Sequence, residues 1–173
     1  MKEILFKAKR KDNGEWVSGG TIVQFLDDGI RSFYMPQFNE KCDCTHDDAT
    51  DDILGFENCR FYKVNPDTIC RYTGRNDKNG NFIWENDILR GHGNPKDLAK
   101  ATFGEFYVID VGTLEKVDSV YGWHTEVIPT DALSKCEPFC LPMPLTEFYI
   151  SRSEYEVIGN IFDNPELLEE LVE

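Results

Sequence analysis

Tyr72-Thr-Gly-Arg-Asn-Asp-Lys-Asn-Gly-Asn-Phe-Ile-Trp-Glu-Asn-Asp-Ile-Leu89 is the stretch from which the fold can be read. Asn79-Gly80 is a strong hairpin signal. A two-residue type I′ turn needs φ > 0 at both central positions, which Asn followed by Gly adopts at least cost. Phe82 and Trp84 then share one face of a short strand, and Ile83 points to the other. Glu85-Asn86-Asp87 is a second turn, and Ile88-Leu89 opens the next strand. Short strands joined by tight turns are the material of a small, strongly bent barrel. At hairpin spacing Tyr72, Phe82 and Trp84 are expected in the core. An aromatic binding groove is the alternative.

Working outward, Glu3 to Lys9 alternates as a strand, and Asn13-Gly14 is a second type I′ candidate leading into Glu15-Trp16-Val17. Thr21 to Leu26 and Ile30 to Met35 read as strands about Asp27-Asp28-Gly29. Residues 40–60 form an acidic excursion with seven acids, two bases and three cysteines. Cys59 to Val64 returns as a strand into an Asn65-Pro66-Asp67 turn. Beyond Leu89, Gly91 to Pro95 is loop. Ala99 to Phe103 and Phe106 to Val111 read as strands about a Gly104-Glu105 turn. Lys116 to Tyr121 and Thr125 to Ile128 add two more. Asp131 to Cys136 reads as one helical turn, and Pro138, Pro142 and Pro144 oppose regular structure after it. Tyr155 to Phe162 is the closing strand. Asn164 as N-cap and Pro165 at the first position start a short terminal helix over 165–172. Its apolar stripe, including Leu167 and Leu171, must dock on the barrel or on another subunit.

The chain has 173 residues, of which 40% are hydrophobic and 13% aromatic, enough for one packed domain that is mainly β. The formal charge of −14 argues against a protein that wraps duplex DNA, because that affinity comes mostly from Lys and Arg neutralising phosphates. Direct nucleic-acid binding is therefore not expected. No apolar run reaches the ~20 residues needed to span a bilayer, and the amino terminus lacks a signal-peptide core. A cytoplasmic location with reduced thiols follows as the expectation.

Three stretches together resemble the YopX family of phage and prophage proteins. They are Met1-Lys-Glu-Ile-Leu-Phe-Lys-Ala8, then Val64 through Leu89, and Tyr155-Glu-Val-Ile-Gly-Asn-Ile-Phe-Asp-Asn-Pro-Glu-Leu-Leu168. The resemblance implies an SH3-like β-barrel core in one domain, centred on 64–112 and 153–162, and a phage-derived gene. It implies no activity. Asn86 stands where the family usually has Gly, and Asn is the next most tolerant residue at φ > 0. The excursion at 40–60 and the stretch from Cys136 to Pro144, within the Pro-rich insertion at 129–147, match no family motif.

Cys42, Cys44, His46 and Cys59 have the residue types of a metal site, and Cys136 and Cys140 add two thiols. Cys-x-Cys is tighter than usual zinc spacing, so reduced thiols are the favoured reading and neither metal nor cofactor is expected. No motif surrounds His46, His92 or His124 to support a Cys-His nucleophile. Asp47-Asp48 and Asp51-Asp52 lack the order of a calcium loop. Lys78-Asn79-Gly80 is a turn, not a phosphate loop.

The first functional expectation is a non-catalytic protein-binding or accessory module, not an enzyme, with a host-encoded protein as its partner. Tyr72, Trp84, Leu167 and Leu171 are its candidate contact residues, and a homo-oligomer is compatible with them. An acidic DNA mimic that inhibits a host enzyme is the second reading. A small Cys/His metalloprotein is the third.

Overall fold

The computed structural model describes residues 4–27, 29–38, 59–110 and 112–168. Cys42, Cys44, His46 and Leu171 lie outside them, as do both Asp-Asp pairs of the acidic excursion. The chain divides into two compact units, Met1–Arg71 and Tyr72–Glu173.

In the first unit, β1 (Phe6–Lys9) pairs antiparallel with β2 (Trp16–Gly19), with Lys9 opposite Trp16. A three-stranded antiparallel sheet has the order β3 (Val23–Asp27), β4 (Ile30–Phe38), β5 (Cys59–Val64). Ala8, Met35 and Val64 are fully buried and pack with Phe6, Val17, Ile22, Phe33 and Ile69. The Asn13-Gly14 turn is longer than a type I′ turn: the Arg10 N–H reaches Glu15 O, and Gly14, not Asn13, has positive φ. Asn65 caps the 3-10 turn Pro66–Thr68, its side chain accepting from the Asp67 N–H.

Strand β6 (Cys70–Asn76) carries the chain into the second unit, where Tyr72 sits opposite Trp84 of β7 (Phe82–Trp84). The turn between them is not type I′. Gly80 is at φ 85 and Asn79 is not at positive φ. The Gly80 N–H donates to Asp77 O and the Asp77 N–H to Asn81 O, a three-residue loop whose last residue is left-handed. The cause is Asp77. Its carboxylate accepts from the N–H groups of Asn79 and Asn81 at 2.8 Å, which specifies a turn one residue longer than the Asn-Gly pair implies.

The second unit's sheet is five-stranded and antiparallel, in the order β11 (Met143–Pro144), β10 (Lys116–Val127), β9 (Leu98–Ile109), β8 (Asp87–Arg90), β12 (Glu156–Asn160). Among the described residues no sheet closes on itself, so the barrel expected from the sequence does not form as a closed sheet. Among the described residues the architecture is mainly β, with antiparallel sheets and one short α-helix. β9 and β10 run straight through the expected Gly104-Glu105 turn and the expected break before Thr125. Gly104 pairs with Gly122, and Phe103 with Trp123, in continuous register. The reversal comes later, where Asp110 Oδ1 accepts from the N–H groups of Gly112 and Thr113, and Leu114 takes φ 59.

One core cluster joins Ile83, Leu89, Ala101, Leu145, Ile150 and Tyr155; a second joins Ile88, Leu98 and Ile128. Helix α1 (Glu147–Ser153) lies beyond the Pro-rich stretch and buries Ile150. Thr146 caps it through the Tyr149 N–H, and Glu154 closes it at φ 52. Where the terminal helix is expected over 165–172, the described residues form a 3-10 turn, Pro165–Leu168, and 169–172 lie outside them. Asn164 does not cap it with its side chain, whose Oδ1 accepts instead from the Asn160 N–H.

Asn86 holds φ 67, the left-handed position. Its N–H donates to Ala101 O and its C=O accepts from the Ile161 N–H, so the turn fastens two strands. Asn86→Ala is expected to destabilise by about 1 kcal/mol, since an alanine gains nothing local to offset the left-handed backbone. A urea melt checks it; an unchanged midpoint would contradict the strain.

Candidate functional site

Period two puts Tyr72, Phe82 and Trp84 on one face, and the structure turns that face outward. The ring centroids lie 4.6 Å apart for Tyr72–Phe82, 5.6 Å for Tyr72–Trp84 and 6.2 Å for Phe82–Trp84. Phe82 is 46% exposed, Tyr72 and Trp84 are half-buried, and Ile83 between them is fully buried. The expected core placement of these aromatics is thus reversed: Ile83 takes the core because it alone faces Leu89, Ala101 and Ile150. The Tyr72 hydroxyl donates to Asn76 Oδ1 at 2.6 Å. Burial pushes its pKa up, Arg75 opposes this and Glu147 adds to it. Arg75 and Glu147 pair at 2.8 Å.

Of the other expected contact residues, Leu167 packs against Ile88, Leu98 and Ile128 and so serves the core. The structure brings Tyr72 and Trp84 together and separates Leu167 from that pair's cluster. Cys59 opens strand β5.

A larger feature is not anticipated by the sequence. Beyond Phe106, β9 and β10 continue as a two-stranded arm. β11 pairs with β10 only at His124 and Thr125, and β8 pairs with β9 only from Leu98 to Lys100. Among the described residues, no strand lies along the outer edge of β10 from Lys116 to Gly122. Every β10 residue from Lys116 to Tyr121 is exposed, Val117 at 66% and Tyr121 at 72%. Tyr107 shares the face of Tyr121, whereas Val108 and Val120 expose apolar surface on the opposite face, and Leu114 is exposed in the turn. Inside the arm, the Lys116 ammonium sits 3.8 Å over the Tyr107 ring and the Ser119 hydroxyl donates to Glu105. A two-stranded ribbon alone is marginal in water. The unpaired N–H and C=O groups of an open edge are a template for strand addition, and exposed apolar side chains beside it leave that template unguarded. The one signal in the sequence was the alternation of Val117, Ser119 and Tyr121, hidden by reading Gly104 as a turn.

At the base of the arm, Phe106, Tyr107, His124, Glu126, Cys140 and Pro142 help to line a groove of about 410 Å³. His124 is buried, stacks on Phe106 at 4.7 Å, and has Nδ1 3.2 Å from Gly122 O. The Lys100 ammonium, 2.7 Å from Glu126, holds that carboxyl below its ordinary range; burial opposes this, while Thr102 and His124 assist. His92 Nδ1 lies 2.7 Å from Asp97 Oδ2 in an exposed loop. Among the described residues, no three His, Cys, Asp or Glu side chains come together as a cation site. No described helix is long and apolar enough to cross a membrane.

The family described as YopX protein matches residues 5–169. The crystal structure of protein EF1440 from Enterococcus faecalis is similar at 20% identity and a TM-score of 0.39, over 96% of this chain and 98% of that one. No curated protein matches.

Proposed function

We propose that this chain, which belongs to the YopX family, is a non-catalytic module that binds an extended, basic segment of another protein along the outer edge of β10. The observation that carries this is the arm: an edge from Lys116 to Gly122 without a neighbouring described strand, flanked by exposed Val117 and Tyr121. An added strand would gain main-chain hydrogen bonds there, and alternate side chains would find the apolar face. The charge of the segment follows from the arm, which carries Glu105, Asp110, Glu115 and Asp118 against Lys116. The resemblance to phage and prophage proteins supports a phage origin and a host-encoded partner. The aromatic face of Tyr72, Phe82 and Trp84 would serve as a second contact.

The DNA-mimic reading is less favoured. Asp77, Asp110 and Asp131 accept hydrogen bonds from their own turns, and Glu126, Glu147 and Glu156 are ion-paired. Those six carboxylates are committed to partners within the fold.

The test compares capture from one lysate by the wild type and by the double variant Val117→Lys, Tyr121→Lys. These exposed positions should change stability by no more than about 0.5 kcal/mol. The expected result is a partner held by the wild type, weakened by salt, and lost at least about tenfold by the variant. Equal capture by both would contradict the proposal. So would a wild-type dimer in light scattering that the variant abolishes, since a second copy would then be the occupant.

A further inference from the structure

Cys136 and Cys140 sit at the two ends of one hydrogen-bonded turn. The Cys140 N–H donates to Cys136 O at 3.0 Å. That oxygen is ~2.4 Å from its own Cα and the nitrogen ~1.5 Å from its own. The two Cα atoms are therefore at most about 6.9 Å apart, and any bend at the hydrogen bond brings them closer. Disulfides span Cα separations of roughly 4.4–6.8 Å. Cys136 is exposed, and its thiol donates only a weak hydrogen bond, 3.2 Å to Ala132 O. Cys140 is half-buried and lines the groove with His124 and Glu126. Once the Cys136 thiol rotates away from Ala132 O, an accessible attacking thiol lies within backbone reach of a more sheltered resolving thiol, the requirement of a reversible pair.

We propose that Cys136 and Cys140 form a reversible disulfide whose closure alters the wall of the His124 groove. With glutathione disulfide as oxidant, the Cys136 thiolate attacks one sulfur, giving a mixed disulfide and releasing one glutathione thiolate. The Cys140 thiolate then attacks Cys136 Sγ and expels the second glutathione. The protein loses two protons and two electrons, and the oxidant becomes two glutathione thiols.

The full reduced chain, equilibrated with mixtures of reduced and oxidised glutathione, quenched by acid and digested, tests this. The expected product is a peptide spanning Cys136 to Arg152 that is lighter by two hydrogens, reversed by excess reduced glutathione. His124 ring signals should shift with oxidation in the wild type but not in Cys136→Ser. A peptide that stays reduced, stops at the mixed disulfide, or pairs with another cysteine would overturn the pair. A disulfide formed without a shift at His124 would overturn its link to the groove.

Discussion

Asp77→Ala is expected to cost the second unit about 4 kcal/mol. The side chain is only 6% exposed and accepts four hydrogen bonds. Oδ1 takes the Asn79 and Asn81 N–H groups at 2.8 Å; Oδ2 takes the Asn81 side-chain amide and the Val157 N–H at 3.0 Å. One carboxylate thus closes the β6–β7 turn and ties it to β12. Alanine strands three backbone donors, each costing roughly 1–3 kcal/mol if water does not replace the bond. Asp77→Asn keeps one acceptor oxygen and should lose about half as much.

Burial opposes the Asp77 charge, but the donors at Val157, Asn81 and Asn79 outweigh it and hold the carboxyl below its ordinary range. A depressed folded value means the unfolded chain takes up its proton first as pH falls. The contribution is therefore full above the unfolded value of ~3.9 and is lost as pH drops through the folded value. Urea unfolding of wild type and Asp77→Ala should differ most near neutrality and converge in strong acid. A difference independent of pH would contradict the charged role.

Ile83→Ala is the second large effect, about 3–4 kcal/mol, because a fully buried side chain leaves a cavity among Leu89, Ala101, Leu145 and Ile150. Its neighbour Phe82→Ala should lose no more than about 1 kcal/mol, as Phe82 is partly exposed and contributes ring contacts alone. Thermal or urea melts of the two single variants decide this. A larger loss at Phe82 than at Ile83 would mean that the aromatic face, not the Ile83 face, is the inner one.

Local geometry was legible where one residue determines it. Asn86 was readable as left-handed because it stands where the resembled family has Gly, and Asn is the next most tolerant residue at the φ of 67 that it holds. The facing of Tyr72 and Trp84 follows from period two, but not the side on which the core lies; that depends on Leu145 and Ile150, far along the chain. Asn79-Gly80 announced a turn without its type, since Asp77 selects the longer loop. Gly104 misled because a glycine inside a strand reads like a turn; only its partner Gly122 shows otherwise. Helix α1 carried signals at Thr146 and Glu147, overshadowed by the prolines before them. Sheet closure is a matter of long-range pairing, which the periodicity of single strands does not contain. The arm was missed for the same reason.

Amide hydrogen exchange on the captured complex tests the central claim most directly. Bound partner should slow exchange along Lys116 to Gly122, where β10 has no strand on its outer edge among the described residues. Weaker protection should appear at Tyr72 to Trp84. Unchanged exchange from Lys116 to Gly122, with protection elsewhere, would contradict the account.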